Sequence, residues 1–180
     1  MIFNELEISG VFHVEQELHR DDRGFFARIW CQEEFKGRGL NDQLVQCSVS
    51  FNAKKGTLRG MHYQVAPYRE AKLVRCSHGA IYDVAVDLRP ESPTFKRHVG
   101  AELSEQNRKM LYVPEGFAHG FITLRDQTEV LYHISEFWSP AHARGVRWND
   151  PAFGIEWPAQ PEIIADRDRD YPDFTKHGRM

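Results

Sequence analysis

Two histidines stand in glycine-containing turn contexts that are unusual for residues with a purely structural role. His62 lies in GMHYQ at 60–64, and His119 lies in PEGFAHGF at 114–121. A neutral imidazole titrates near physiological pH, so it can move protons in catalysis, and it is also a common metal ligand. The two contexts therefore allow either acid–base chemistry or a metal site.

Strands must position these residues, because strand signals dominate the chain. Short alternating segments, rich in β-branched and aromatic residues, recur between turns. They lie at 9–18, 24–30, 43–51, 57–64, 71–89, 109–116, 119–124 and 128–138. Helix is expected only near 33–37 and 104–109, where Ser104 is a candidate cap. The pattern predicts an all-β sandwich or barrel, and a jelly roll suits the length.

The last part of the chain has a different composition. Residues 144–174 are rich in Pro, Trp and Asp, which predicts an irregular C-terminal arm around the barrel, with 175–180 frayed. The chain of 180 residues is expected to form one domain, 1–180, because nothing in its length requires a second core.

Charge and hydropathy exclude several classes of protein. The net charge is -3 and basic residues form no long run, so no nucleic-acid partner is expected. There is no apolar stretch of about 18 residues to enter a membrane, and the acidic start does not fit a secretory signal, so we expect a cytoplasmic protein. The cysteines Cys31, Cys47 and Cys76 lack CxxC spacing and are expected to be reduced, with Cys31 and Cys76 buried.

The segment SHGAIYDVAVDLR at 77–89 places two carboxylates on one face of a strand. Asp83 and Asp87 share that face with Ile81 and Ala85, while the opposite face is apolar. A barrel cavity that binds a polar ligand predicts this pattern, and so does a sheet edge that faces water.

The surroundings of the two histidines resemble the two motifs of the cupin fold. In the metal-binding form of that fold, the first motif offers His-x-His and a Glu, and the second offers Pro-x-Gly-x-x-His. Gln64 replaces the second His here, which leaves His62, Gln64, Glu70 and His119 as the plausible ligand set. An amide in place of an imidazole makes this set poor for Zn, Fe(II) or Cu. We therefore expect no metal and no cofactor.

Longer strings carry a more specific resemblance. The chain resembles the deoxysugar-nucleotide epimerases typified by dTDP-4-dehydrorhamnose 3,5-epimerase. The matching strings are DDRGFFAR at 21–28, GTLRGMHYQ at 56–64, AKLVR at 71–75, IYDVAVDLRPESPTF at 81–95, VPEGFAHGF at 113–121, EVLYH at 129–133 and RWNDPAFGIEWP at 147–158. The resemblance implies a metal-free cupin-type jelly roll that forms a homodimer. It also implies epimerisation of a nucleotide-linked 4-keto-6-deoxyhexose at C3, C5 or both.

The same resemblance implies a role for each catalytic position. Such a reaction needs a base, an acid on the opposite face and a charge that stabilises the enolate. The family's base corresponds to His62, its acid to Tyr132, and the group beside the ketone oxygen to Lys72. The carboxylate that orients the base corresponds to Asp168, and Asp166 is the alternative because the alignment there needs a one-residue adjustment.

Substrate contacts also follow from the resemblance. The diphosphate contacts correspond to Arg59 and Arg23, and Arg23 is expected from the neighbouring subunit because the family exchanges its N-terminal strands. Gly24 and Gly60 allow a turn or bulge beside these arginines. The other expected contacts are Gln46, Ser48, Arg28, His119 at the barrel mouth, and Trp138, whose ring would stack on the base.

Several positions depart from the family pattern. Cys47-Ser48 replaces an Asp-Asn pair, Glu70 replaces a Gln, Arg28 replaces a Glu, and Ala143 replaces an acidic residue. An Arg suits cytosine, which offers an acceptor where thymine offers an N–H, so CDP is an alternative nucleotide to dTDP. Two rival functions also fit the sequence: a metal-dependent cupin enzyme, and a module that binds a nucleotide sugar without converting it.

Overall fold

Strands form most of the ordered elements, as the alternating segments predict. The structure is a computed structural model and describes residues 1–174. The strands are β1 (Ile2–Glu5), β2 (Phe12–Glu15), β3 (His19–Asp21), β4 (Gly24–Phe26), β5 (Gln46–Asn52), β6 (Thr57–Gln64), β7 (Lys72–His78), β8 (Ala80–Asp87), β9 (His98–Ser104), β10 (Met110–Val113), β11 (Phe117–Thr123), β12 (Thr128–Ile134), β13 (Ala143–Gly145) and β14 (Ile163–Ile164). The helices are α1 (Gln32–Lys36) and α2 (Asp166–Arg169).

Two antiparallel sheets share one apolar core. The first sheet has the order β1-β2-β10-β7-β12-β5, and the second has the order β13-β6-β11-β8-β9, with β14 paired in parallel to β6. Val74 and Val130 from the first sheet pack with Ile81, Leu103 and Phe121 from the second. Two sheets stacked on one core form a jelly roll of the cupin type, which confirms the predicted fold class.

The hairpin of β3 and β4 pairs with neither of the two sheets. Every residue of its two strands is exposed, and Phe26 keeps 75% of its surface accessible. Gly24 has a φ of +127° at the turn, a conformation that glycine adopts readily, so the turn predicted there is confirmed.

Both carboxylates of β8 are buried, so the alternative of a sheet edge that faces water is wrong. Asp83 contacts His119 in the neighbouring strand β11. Asp87 accepts hydrogen bonds from Arg89, Ser92 and Thr94 instead, and these bonds outweigh the effect of burial and lower its pKa to about 2. Asp83 therefore contacts a predicted site residue, whereas Asp87 stabilises the turn after β8.

One of the two predicted helices is present. Helix α1 occupies Gln32–Lys36, close to the predicted 33–37, but residues 104–109 form a turn instead of a helix. The side chain of Asn107 accepts hydrogen bonds from the amides of Ser104 and Lys109, and Arg108 has a left-handed φ of +52°. A side chain that binds nearby backbone groups competes with helix formation, which explains the wrong prediction.

The C-terminal arm is more regular than its composition predicts. It contains β14, which pairs with β6, and α2, which also contacts β6. Strand β9 was likewise not predicted, although Val99, Ala101 and Leu103 alternate inward along it. Gly100 interrupts the β-forming pattern in that segment. The predicted frayed end, 175–180, lies outside the described residues.

The three cysteines are free. Cys76 is buried as predicted, and burial raises the pKa of its thiol to about 12. Cys31 is only partly buried, so the prediction of full burial is wrong for that residue. The helices of residues 1–174, at five and four residues, are too short to cross a bilayer.

Candidate active site

A cavity of about 340 Å³ opens between the two sheets. Strands β5, β7 and β12 form its wall on the first sheet, β6, β11 and β13 form its wall on the second, and α2 closes one side. The predicted residues that line it are Gln46, Ser48, Arg59, His62, Lys72, His119, Tyr132, Trp138 and Asp168. Most of the residues predicted from the sequence therefore meet in one cavity.

His62 on β6 is paired with a buried carboxylate from the C-terminal arm. Its Nε2 lies 2.7 Å from Oδ1 of Asp168, and Oδ2 of Asp168 accepts a hydrogen bond from the Gly60 amide at 3.1 Å. Asp166, the alternative partner, is exposed and pairs with Arg169. Burial acts to raise the pKa of Asp168, but the hydrogen bonds from His62 and Gly60 lower it overall, so the carboxylate is ionised at neutral pH.

A close approach of two glycines shapes the backbone beside this pair. Gly60 has a φ of +134°, and a Cβ built there would lie 2.5 Å from the Cα of Gly120 on β11. The pairing between β11 and β6 shifts register between His119 and Phe121. The bulge predicted at Gly60 is confirmed, and only glycine fits its backbone there.

Tyr132 on β12 lies on the opposite wall from His62. Its ring packs edge-on against His119, with centroids 6.1 Å apart, and Nε2 of His119 lies 2.7 Å from Oδ1 of Asp83. Burial raises the pKa of the Tyr132 phenol, and the Asp83 carboxylate raises it further, so the phenol is protonated at neutral pH. His119 is buried in the cavity wall and does not lie at the mouth, which corrects its predicted position.

Lys72, at the start of β7, is held by a carboxylate that the sequence did not assign to the reaction. Its Nζ lies 2.9 Å from Oε1 of Glu70, and both side chains are nearly buried, with 10% and 11% of their surfaces exposed. The same Nζ approaches the carbonyl oxygen of His62 at 3.5 Å. The ammonium therefore lies beside the proposed base, within the same cavity.

The side chains of the predicted metal-ligand set are engaged with other protein groups. His62 and His119 each direct Nε2 at a carboxylate 2.7 Å away, and Oε1 of Gln64 accepts a hydrogen bond from the Ser139 amide at 2.6 Å. Within residues 1–174, no three His, Cys, Asp or Glu side chains are grouped to hold a metal ion. This geometry favours acid–base chemistry.

The cavity lining also includes an aromatic ring and a guanidinium group. Trp138 is 63% exposed, and its amide donates to Oε1 of Gln46 at 2.7 Å. Arg59 is exposed on β6, and its Nε donates to Oδ1 of Asn52 at 2.7 Å. A flat ring and a guanidinium are suited to a nucleobase and a diphosphate respectively.

Two predicted contacts lie away from the cavity of their own chain. Arg23, at the tip of the β3–β4 hairpin, is 90% exposed and pairs with Asp21. Arg28 pairs with Glu34 at 3.2 Å, so the predicted contact between Arg28 and the base is not made within one chain. Neither residue lines the cavity that holds His62.

Several residues of the cavity were not assigned to a catalytic or substrate-binding role from the sequence. They are Glu70, Gln64, Arg144 and Arg167, which line the cavity, and Asp83, which binds His119. Arg167 directly precedes Asp168, a predicted site residue, and this position in the sequence could have identified Arg167 as part of the site. The side-chain partners of Glu70 and Gln64 depend on tertiary contacts and left no local signal.

Asp168→Asn is expected to destabilise the protein in a pH-dependent manner. Because the native pKa of Asp168 lies below its unfolded value near 4, its stabilising contribution is fully present above about pH 5. That contribution is lost as the pH falls through the lowered native value. Urea unfolding should show wild type more stable than the variant by about 1–2 kcal/mol at pH 7. A difference that stays constant down to pH 2.5 would contradict this prediction.

Comparison with known proteins gives an extensive match. The family model described as dTDP-4-dehydrorhamnose 3,5-epimerase matches residues 5–176. The dTDP-4-dehydrorhamnose 3,5-epimerase of Sinorhizobium fredii is 41% identical over 177 residues, which are 98% of this chain and 91% of that protein. The matched region contains every residue of the cavity.

Solved structures agree with the sequence match. The crystal structure of dTDP-4-dehydrorhamnose 3,5-epimerase from Elizabethkingia anophelis has a TM-score of 0.94 at 35% identity, and the match covers 98% of each chain. A dTDP-6-deoxy-D-glucose-3,5-epimerase from Legionella pneumophila, in complex with dTDP-4-keto-L-rhamnose, has a TM-score of 0.86 at 32% identity. That match covers 93% of this chain and 89% of the other.

Proposed function

Because the chain belongs to the dTDP-4-dehydrorhamnose 3,5-epimerase family, we propose that it inverts C3, C5 or both centres of a dTDP-linked 4-keto-6-deoxyhexose. One observation carries the proposal: a single cavity holds the His62–Asp168 pair on one wall and Tyr132 on the other, with the Lys72 ammonium beside His62. A base and an acid on opposite walls can remove a proton from one face of a carbon and return one to the other.

The first step is removal of a proton from a carbon beside the ketone. An ionised carboxylate can only accept hydrogen bonds, so Asp168 keeps the ring proton of His62 on Nε2. Nδ1 is then the basic nitrogen that takes the proton from carbon. The resulting imidazolium is stabilised by Asp168, and the electron pair of the broken C–H bond moves into the enolate.

The second step returns a proton from the opposite wall. The ammonium of Lys72 lies in a largely buried position, where it stabilises the negative charge on the enolate oxygen more strongly than it would in water. Tyr132, kept protonated by burial, then donates its proton to the carbon. The reaction needs no cofactor, because the only bonds made and broken are to protons.

The nucleotide is proposed to be dTDP. The related enzyme from Legionella pneumophila is described in complex with dTDP-4-keto-L-rhamnose. The CDP alternative rests on Arg28, which pairs with Glu34 in its own chain, and on Ala143, which lines the cavity. Trp138 supplies a stacking surface for the base, and Arg59 supplies a guanidinium for the diphosphate.

The protein is proposed to act as a homodimer that shares Arg23 between subunits. The β3–β4 hairpin pairs only with itself within residues 1–174, and it exposes Phe25 and Phe26. A two-stranded hairpin is marginally stable alone, and exposed aromatic side chains favour a partner surface. A second copy of the chain would cover the hairpin and receive Arg23. The cytoplasmic location remains a prediction from the sequence.

Mixing two impaired variants tests this shared site. His62→Ala removes the base, and Arg23→Ala removes the diphosphate contact, so each homodimer is expected to be nearly inactive at low substrate concentration. Unfolding and refolding them together gives mixed dimers in which the Arg23→Ala cavity receives Arg23 from its partner. If half of the dimers are mixed and each has one intact site, activity returns to about a quarter of wild type. No recovery in verified mixed dimers would contradict the exchange.

Deuterium incorporation from solvent tests the function itself. In D₂O with a chelator present, the enzyme is expected to place deuterium at C3, C5 or both positions of dTDP-4-keto-6-deoxyglucose, as assigned by NMR. The CDP, UDP and GDP analogues are matched controls and should react more slowly. Tight binding without exchange would establish a binding module, and activity lost on chelation would establish a metal-dependent enzyme.

A further inference from the structure

We propose that Glu70 and Gln64 are positioning residues that join the ammonium of Lys72 to the loop that carries Trp138. This inference rests on the proposed function, because it assigns both residues to the epimerase reaction. Neither side chain needs to touch the reacting carbon. Their role is to hold the enolate-stabilising charge and the nucleobase platform in one fixed arrangement.

Glu70 restricts the orientation of Lys72. An ammonium group has three N–H donors. One points to Oε1 of Glu70 at 2.9 Å, and a second approaches the carbonyl oxygen of His62 at 3.5 Å. Both side chains are almost fully buried, so water competes little for these donors. The remaining donor is left for the ketone oxygen of a substrate in the cavity.

Gln64 in turn holds Glu70. The two N–H groups of its Nε2 are shared among three acceptors: the Tyr68 carbonyl at 2.9 Å, the Phe137 carbonyl at 3.1 Å and Oε2 of Glu70 at 3.2 Å. Only 3% of the surface of Gln64 is exposed. A buried amide with these contacts has few accessible rotamers. It therefore holds Oε2 of Glu70 in place while Oε1, the other carboxylate oxygen, binds Lys72.

The side-chain amide of Gln64 also binds the backbone on both sides of Trp138. Its Nε2 donates to the Phe137 carbonyl at 3.1 Å, and its Oε1 accepts from the Ser139 amide at 2.6 Å. Trp138 lies between these two residues, and its own amide is held by Gln46. Gln64 therefore fixes the backbone on both sides of the exposed indole ring.

The contacts form a continuous chain from Trp138 through Gln64 and Glu70 to Lys72. A rigid connection of this kind lets binding energy gained at the nucleotide place the ammonium at the ketone, a contribution to rate that depends on position. Glu70 is expected to affect kcat alone, because it contacts only the reaction end. Gln64 is expected to affect both kcat and nucleotide affinity, because it contacts both ends.

The test compares Glu70→Ala, Glu70→Gln and Gln64→Leu in the full-length enzyme. Glu70→Ala should lower kcat about 100-fold, as misplacement of a catalytic group by about 1 Å does, with dTDP affinity unchanged. Glu70→Gln should recover much of this loss, because its amide oxygen can still accept from Lys72. Gln64→Leu should lower both kcat and dTDP affinity about tenfold, since it also releases the stacking platform.

Glu105→Gln is the matched control, because Glu105 pairs with His78 at the far end of β7 from Lys72. It should leave both kcat and dTDP affinity at wild-type values. Deuterium exchange gives kcat, calorimetry gives dTDP affinity, and circular dichroism checks folding. If Glu70→Ala does not fold, the kcat and dTDP affinity of Gln64→Leu decide the test.

Wild-type kcat in folded Glu70→Ala would overturn the proposal, as would unchanged dTDP affinity in Gln64→Leu. A raised KM with unchanged kcat in Glu70→Ala would overturn it too, by making Glu70 a substrate contact. Failure of the proposed function would appear separately, as an inactive wild-type enzyme.

Discussion

Replacing His62 by Ala is expected to stop proton exchange while nucleotide binding is retained. The substitution removes the imidazole that takes the proton but leaves Trp138 and Arg59, the proposed nucleotide contacts, in the cavity. Loss of a general base slows reactions by up to about 10⁴-fold, and we expect a loss of that size because the proton is removed from carbon. Deuterium exchange measures the rate, and calorimetry with dTDP measures affinity, which should change less than about twofold.

His78→Ala is the control for this experiment. His78 is 61% exposed and pairs with Glu105, away from the cavity, so its removal should leave exchange unchanged. The His62→Ala variant should fold, because Asp168 keeps its hydrogen bond to the Gly60 amide. Exchange at the wild-type rate in His62→Ala would assign the base to another residue.

Replacing Tyr132 by Phe is expected to separate proton loss from inversion. The ring and its packing against His119 remain, but the proton donor on that wall is removed. His62 can still take a proton and return deuterium to the same face, so exchanged substrate of unchanged configuration should accumulate. Inversion should slow by about 10²–10³-fold and exchange by much less. NMR of one sample reports both quantities.

Tyr112→Phe is the matched control for the loss of a phenol. Tyr112 is buried on β10, and its hydroxyl accepts a hydrogen bond from the Asn41 amide at 3.0 Å. Its removal should affect stability but neither exchange nor inversion. If Tyr132→Phe inverted its substrate at the wild-type rate, the proton donor would have to be another group.

Local patterns predicted the parts of the fold that local chemistry determines. The strands around His62 and Tyr132 were found because alternation and β-branched residues are visible in a short window. Strand β9 was not found, because its Gly100 lowers the local strand signal. The structure gives a tertiary reason for that glycine: a Cβ built there would lie 2.0 Å from the hydroxyl of Tyr82 on the neighbouring strand. Such a contact cannot be seen along the sequence.

The residues of the candidate site were likewise predictable where they lie in local sequence motifs, but not where their roles depend on tertiary contacts. The resemblance located His62, Lys72 and Tyr132 because each lies inside a long matching string. It left Asp166 and Asp168 open, because the choice depends on which side of α2 contacts β6. Glu70 was considered only as a metal ligand, since its pairing with Lys72 depends on how the segment before β7 folds back. Arg28 was placed at the base, whereas the structure pairs it with Glu34.

The origin of Asp168 on the C-terminal arm affects when the enzyme becomes active. The His62–Asp168 pair joins residues 106 positions apart, and its carboxylate lies on the last helix of the described chain. Contacts of such long sequence separation form late, because loop closure must precede them. The barrel can therefore be assembled during synthesis while His62 still lacks its partner. We expect competence for proton abstraction only after α2 docks, so a growing chain should not act on the keto sugar before Asp168 is in place.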